Sequence, residues 1–100
     1  MADKEVINAR VEELYKIIAS LKTKQDAEDF LLDLCTYKEI EQMAQRAHSA
    51  KLFLEGKTYT QIIEETDLSS TTLSRVSRSI SYGTGGYAKF IKRGKKNAKR

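Results

Sequence analysis

The sequence predicts an all-α fold, and three observations carry that prediction. Proline is absent from all 100 residues. Alanine, leucine, glutamate, lysine and glutamine, the residues that lose least on entering a helix, are abundant. Apolar residues recur at spacings of three and four along most of the chain, the period of a helix with one inward face. A chain of this length fits one small domain with limited apolar surface to bury.

The first helix is expected from about Asp3 to Leu21. Ile7, Val11, Leu14, Ile18 and Leu21 alternate steps of four and three, the seam of a helix that packs lengthwise against another. Packing within one chain would cover that seam, but in so short a chain a second copy is the expected cover, which makes a homodimer the expectation. Thr23-Lys24-Gln25-Asp26 has capping-box spacing and precedes Ala27, Phe30, Leu31 and Leu34, so a second, shorter helix should end near Cys35. Thr36-Tyr37-Lys38-Glu39 is another such box. The third helix that it opens has an apolar face of Ile40, Met43, Ala44, Ala47, Ala50 and Leu54, with Gly56 placed as its C-terminal cap. Dimerising helices thus fill about 3–55.

A helix-turn-helix follows at about 58–80. The fourth helix starts between Thr58 and Gln61, and Ile62 and Ile63 give its inward face. Thr66-Asp67-Leu68 makes the turn, with Leu68 as an apolar plug. Ser69 or Ser70 can accept the free N–H groups at the start of the fifth helix. There Leu73, Val76 and Ile80 form one stripe toward the core. Placed about 100° apart, the remaining residues divide into two flanks. Thr71, Ser74 and Arg78 lie together, while Thr72, Arg75 and Ser79 share a different side. Short hydroxyl side chains suit a helix that presses against base edges, where they donate or accept hydrogen bonds. An ordinary helical hairpin with polar outer faces is the plainer alternative; turn, caps, core stripe and hydroxyl face agree instead on a DNA-binding unit.

After Ile80 the pattern dissolves into Tyr82-Gly83-Thr84-Gly85-Gly86-Tyr87. This glycine-rich break follows a helix and no strand precedes it, so it is not a dinucleotide-binding loop. Tyr87, Phe90 and Ile91 suit one more helical turn, in a short segment 81–93 that completes a single domain over 1–93. Residues 94–100 are expected to be a basic, disordered tail.

The charge is divided unevenly. The total of +4 hides 14 acidic residues that all fall at or before Asp67, where 9 basic residues leave a balance of −5. From Leu68 to Arg100 there are 9 basic residues and no acid, a balance of +9. Lys89, Lys92, Arg93, Lys95, Lys96, Lys99 and Arg100 supply most of it. The basic half holds the expected reading helix, as a phosphate-binding surface requires.

Other classes are excluded. No run of about 18 apolar residues exists to span a membrane. The amino terminus MADKEVINARVEEL is charged throughout and has no signal-peptide core, so a cytoplasmic protein is expected. Cys35 and His48 are the only cysteine and histidine, too few for a structural zinc site or a disulfide framework. Neither belongs to a nucleophile constellation, so no enzyme and no metal are expected.

From about Leu31 to Ile80 the chain resembles the tryptophan (Trp) repressor family, and more closely its shorter Trp-repressor-related members in Gram-positive bacteria. The residues that carry this are LLDLCT (Leu31–Thr36), EIEQMAQRAHSAKLFLEGK (Glu39–Lys57) and TTLSRVSRSI (Thr71–Ile80). The resemblance implies an intertwined all-α homodimer with a helix-turn-helix on each side, addressing half-sites about one DNA turn apart. It also implies a corepressor site. Arg46 matches the family's carboxylate-binding arginine and Arg75 its second arginine. Ser79 matches the serine near the ligand's amino group, and Thr36 a threonine at the pocket rim. Val76 stands where the family has a glycine directly after that second arginine. A β-branched side chain there takes space an indole ring would use. The leucine-rich stretch before Thr36 is also one residue shorter. Both departures argue against tryptophan. No cofactor is expected as required; a small carboxylate or amino-acid corepressor is the ligand that would suit the site, and the alternative is that Arg46 and Arg75 are structural or contact phosphates.

The function expected from all this is a sequence-specific, DNA-binding transcriptional regulator, a repressor by resemblance, acting as a homodimer on double-stranded DNA. Ser70, Thr71, Ser74 and Arg78 would enter or border the major groove, and Tyr59 and Thr60 would help fix the phosphate backbone. The alternatives are a helix-turn-helix module that binds protein, or a non-specific DNA binder without corepressor.

Overall fold

A computed structural model describes residues 3–91. Within them the chain forms six helices and no strand: α1 (Lys4–Ala19), α2 (Lys24–Leu34), α3 (Tyr37–Leu54), α4 (Tyr59–Glu65), α5 (Ser70–Tyr82) and α6 (Gly86–Phe90). The basic tail expected at 94–100, and the end of the segment before it, lie outside the described residues. By its contacts the chain falls into two compact units that divide between Ile40 and Glu41.

Local hydrogen bonding sets the helix starts. Asp3 caps α1, accepting from the Val6 N–H. The helix tightens at its end, where Ser20 and Leu21 donate to the carbonyls of Ile17 and Ile18. That tightening ends the regular helix at Ala19, two residues short of Leu21. Thr23 caps α2 through the Asp26 N–H at 3.0 Å, and the Asp26 carboxylate reaches back past the cap to the Lys22 N–H at 3.1 Å. Thr36 and Glu39 form a reciprocal capping box at the head of α3, with distances of 2.8 and 3.1 Å. Thr58 and Gln61 do the same for α4.

The unit before Glu41 has no buried residue in either α1 or α2. Its apolar seam is open in the single chain. Ile7 is 47 % exposed and Ile18 45 %, while Leu14 and Leu21 are half-buried. The unit from Glu41 onward holds the core. Leu52 of α3, Ile62 of α4 and Leu73 of α5 pack together, with Phe53, Tyr59 and Leu68 against them. Ser49, Ala50 and Val76 are also buried. Ser49 satisfies its hydroxyl by donating to the Gln45 carbonyl at 2.8 Å, which removes most of the cost of a buried polar group.

The inward face expected for α3 is only partly inward. Ala50 is buried, Met43 half-buried, but Ala44 and Ala47 are exposed, so the first part of that stripe lacks cover in one chain. Ile63 of α4, expected inside with Ile62, is 41 % exposed. A helix as short as α4 presents one residue of an adjacent pair to the core, because neighbours point about 100° apart.

Two glycines shape the connections. Gly56 has φ +94°, and around it the Lys57 N–H donates to Leu52 O at 3.1 Å while the Gly56 N–H donates to Phe53 O at 3.0 Å. This is the Schellman arrangement that ends α3. Gly83 closes α5. A Cβ there would lie 2.5 Å from the Ser79 carbonyl oxygen, so no larger residue fits that close approach.

Candidate nucleic-acid interface

The helix-turn-helix is built on α4, the turn and α5, all within the second unit. Thr66 organises the turn with one side chain. Its hydroxyl donates to the Ile62 carbonyl at 2.9 Å and accepts from the Leu68 N–H at 3.2 Å. The turn needs no glycine, and no non-glycine residue among those described has positive φ. Leu68 plugs the core edge as expected. Of the two candidate caps, Ser69 is the one used. It accepts from the Thr72 N–H at 3.1 Å, and α5 begins at Ser70.

Leu73 and Val76 turn inward at 0 % and 1 % exposure, and Ile80 is half-buried. This fixes the rotation of α5. Ser70, Thr71, Ser74 and Arg78 are all exposed, as the helical wheel requires of a face turned from the core. Thr71, Ser74 and Arg78 are spaced by three and four and share one strip of surface. Among the described residues neither Arg75 nor Arg78 enters an ion pair. No acid follows Asp67 to compete for them.

Tyr59 and Thr60 open α4. Thr60 is exposed, and Tyr59 is half-buried and held at both ends. Its ring lies 6.3 Å from that of Phe53 at a tilt of 54°. Its hydroxyl donates to the Ser70 carbonyl at 2.8 Å and meets the Ser74 hydroxyl at 3.3 Å. Sequence reasoning placed Tyr59 near phosphates and missed this link across 15 residues. No spacing rule signals it, because it depends on how α4 crosses α5.

The residues matched to a corepressor site are divided between the two units. Thr36 belongs to the first unit, where its hydroxyl is engaged at the head of α3. Arg46 is half-buried on α3 in the second unit. Arg75 and Ser79 are exposed one turn apart on α5. Ser79 also borders a hollow of about 440 Å³ lined by Gly83, Thr84, Gly85, Gly86 and Tyr87. Val76 is buried. Among the described residues no group of three or more histidine, cysteine or acidic side chains could hold a metal, and no helix is long and apolar enough to cross a membrane.

A three-element helical core that turns an exposed, acid-free hydroxyl and arginine face outward defines a helix-turn-helix DNA-binding class. Comparison with known proteins narrows this. The family profile described as Trp repressor protein matches residues 9–95, and the chain belongs to that family, one of DNA-binding regulators rather than enzymes. The uncharacterized protein YerC of Bacillus subtilis (strain 168) is 40 % identical over 83 residues, covering 83 % of this chain and 80 % of YerC. A TrpR-like protein from Eubacterium eligens superposes with a TM-score of 0.77 at 41 % identity, over 87 % of this chain and 90 % of that one. A candidate Trp repressor from Staphylococcus aureus gives 0.77 at 35 % identity, over 89 % of each chain.

Proposed function

We propose that the protein is a cytoplasmic, sequence-specific transcriptional repressor that binds double-stranded DNA as a homodimer. The observation that carries this is the face of α5. Ser70, Thr71, Ser74 and Arg78 are exposed together on a helix whose other side is locked into the core. Arg78, with Lys89 and the basic residues after it, supplies phosphate attraction and register, while the hydroxyls and intervening waters select among base edges. Thr60 borders the backbone from α4, and the phenol of Tyr59 lies beside it.

The exposed seam of α1 supports the homodimer. A helix with Ile7 and Ile18 nearly half open to solvent carries unspent apolar surface, and an identical helix is a self-complementary cover. Two reading heads on one scaffold would then address two half-sites.

A small carboxylate or amino-acid corepressor would be held by Arg46 and Arg75, with Ser79 beside it. Val76, standing where the family has a glycine, is the ground for a ligand smaller than an indole. Such a ligand would set the angle of the reading heads by its differential affinity for two arrangements.

A salt series of DNA binding tests the reading. Affinity for a selected duplex should fall steeply between low and moderate salt, as counterions are released from phosphates. Arg78→Ala should weaken binding to all sequences alike, by roughly tenfold for one charged contact, and make the slope of log affinity against log salt shallower by about one unit. An affinity indifferent to salt would remove phosphate contact as the basis of binding.

A further inference from the structure

The hydrogen-bond arithmetic at Tyr59 points to the kind of base that Ser74 reads. A phenol has one hydrogen to give. The Tyr59 hydroxyl lies 2.8 Å from the Ser70 carbonyl oxygen, which can only accept, so the phenolic hydrogen is committed there. Were it turned elsewhere, two oxygens would face each other at that distance with no proton between them. At the second contact, 3.3 Å from the Ser74 hydroxyl, Tyr59 can therefore only accept. As a hydrogen bond, that contact takes its hydrogen from Ser74.

We infer that Tyr59 is a positioning residue that makes Ser74 an acceptor-only reader, so that the base facing Ser74 is one with an exocyclic amine, adenine or cytosine. The Ser74 oxygen keeps a free lone pair on the exposed side of α5. In the major groove the amine hydrogens of adenine N6 and cytosine N4 are the donors, whereas guanine O6 and thymine O4 only accept. A freely rotating serine would satisfy either kind; one tied to Tyr59 discriminates. The tie is itself held in place, because the Tyr59 ring packs on Phe53 and against the core. Both partners lie in the second unit, so the geometry is fixed within one compact body. Closure against DNA would exclude water from the pair and strengthen the polarity it imposes. This inference rests on the proposal that Ser74 faces a base edge.

The experiment is unbiased selection of bound duplexes from a random pool with the full chain, as wild type, Ser74→Ala and Tyr59→Phe. The half-site position whose preference disappears in Ser74→Ala identifies the base that Ser74 faces. Wild type should favour adenine or cytosine over guanine or thymine there by roughly fivefold, the worth of one net hydrogen bond. Tyr59→Phe keeps the ring and its packing but frees the serine hydrogen, so the preference at that position, read as the ratio among bases within each variant's own selected pool, should relax to about twofold or less. A wild-type preference for guanine or thymine at that position overturns the inference without recourse to the Tyr59 variant. The same preference in Tyr59→Phe as in wild type also overturns it, and so does a uniform loss of affinity with preference intact. If wild type enriches no sequence at all, base reading by α5 fails first and takes the inference with it.

Discussion

Gly56 shows how much one backbone angle decides. Its φ of +94° lies where a side chain crowds the following carbonyl, yet a Cβ added there would meet nothing within 4 Å. The cost of Gly56→Ala is therefore purely conformational, about 1–2 kcal/mol. In a domain of this size that corresponds to a fall in Tm of roughly 4–8 °C per kcal/mol, read by thermal unfolding. Asp26 is a residue of the opposite kind, where charge matters and packing does not. The Lys22 N–H is the main cause that holds its carboxyl below the usual 3.8. Lost hydration opposes this, and the Thr23 hydroxyl and N–H add to the lowering. A depressed carboxylate contributes stability that is complete above its unfolded pKa and is lost as pH falls through the folded one. Asp26→Asn should therefore lower Tm slightly at neutral pH, with the gap between variant and wild type closing below about pH 4. A gap that widened on acidification would contradict that sign.

The helices are held by their first turns more than by their lengths. α4 has 7 residues, too short to persist on propensity alone, so its capping box and its burial of Ile62 must sustain it. Thr58→Ala should cost about 1 kcal/mol. It should also weaken DNA binding, because a frayed α4 loosens Tyr59 from α5; denaturant unfolding and a binding titration measure the two effects separately. The caps at Thr23 and Thr36 were legible in the sequence, Ser69 was one of two candidates, and at Thr58 only the start of the helix was legible. Thr23, Thr36, Thr58 and Ser69 each bond a partner three residues on, and such short-range chemistry survives any tertiary arrangement. The rotation of α5 was legible for the same reason: Leu73 and Val76 dictate the inward side, and Thr71, Ser74 and Arg78 follow from 3.6 residues per turn. What could not be read was contact between elements. The hydroxyl of Tyr59 finds Ser70 and Ser74 only because α4 crosses α5 at one angle, and no local pattern encodes that angle. On α3 the periodic stripe was correct, yet Ala44 and Ala47 remain open, since a period says which side is apolar and not whether one chain can cover it.

That uncovered surface belongs to the molecule as a whole. Val6, Ile7, Val11, Ile17 and Ile18 on α1 are all exposed, and α1 contributes nothing to the buried core. Fully burying one such side chain is worth about 1.5–3 kcal/mol, and in a two-fold interface every residue counts twice. In the proposed homodimer, a lysine at position 18 would forfeit that burial in both copies. Ile18→Lys should thus raise the dimer dissociation constant on the order of a hundredfold, from about 3 kcal/mol lost in total. Sedimentation velocity across a concentration series reads the shift directly. The core of Leu52, Ile62 and Leu73, with Phe53, Tyr59 and Leu68 against it, includes no residue of α1, so the helix-turn-helix should stay folded. Weak salt-dependent affinity for any duplex should then survive, while discrimination between a two-half-site operator and a single half-site is lost, because only a paired scaffold holds two reading helices in register. Retained discrimination in a protein that sediments as a monomer would show that α1 does not assemble the DNA-binding species.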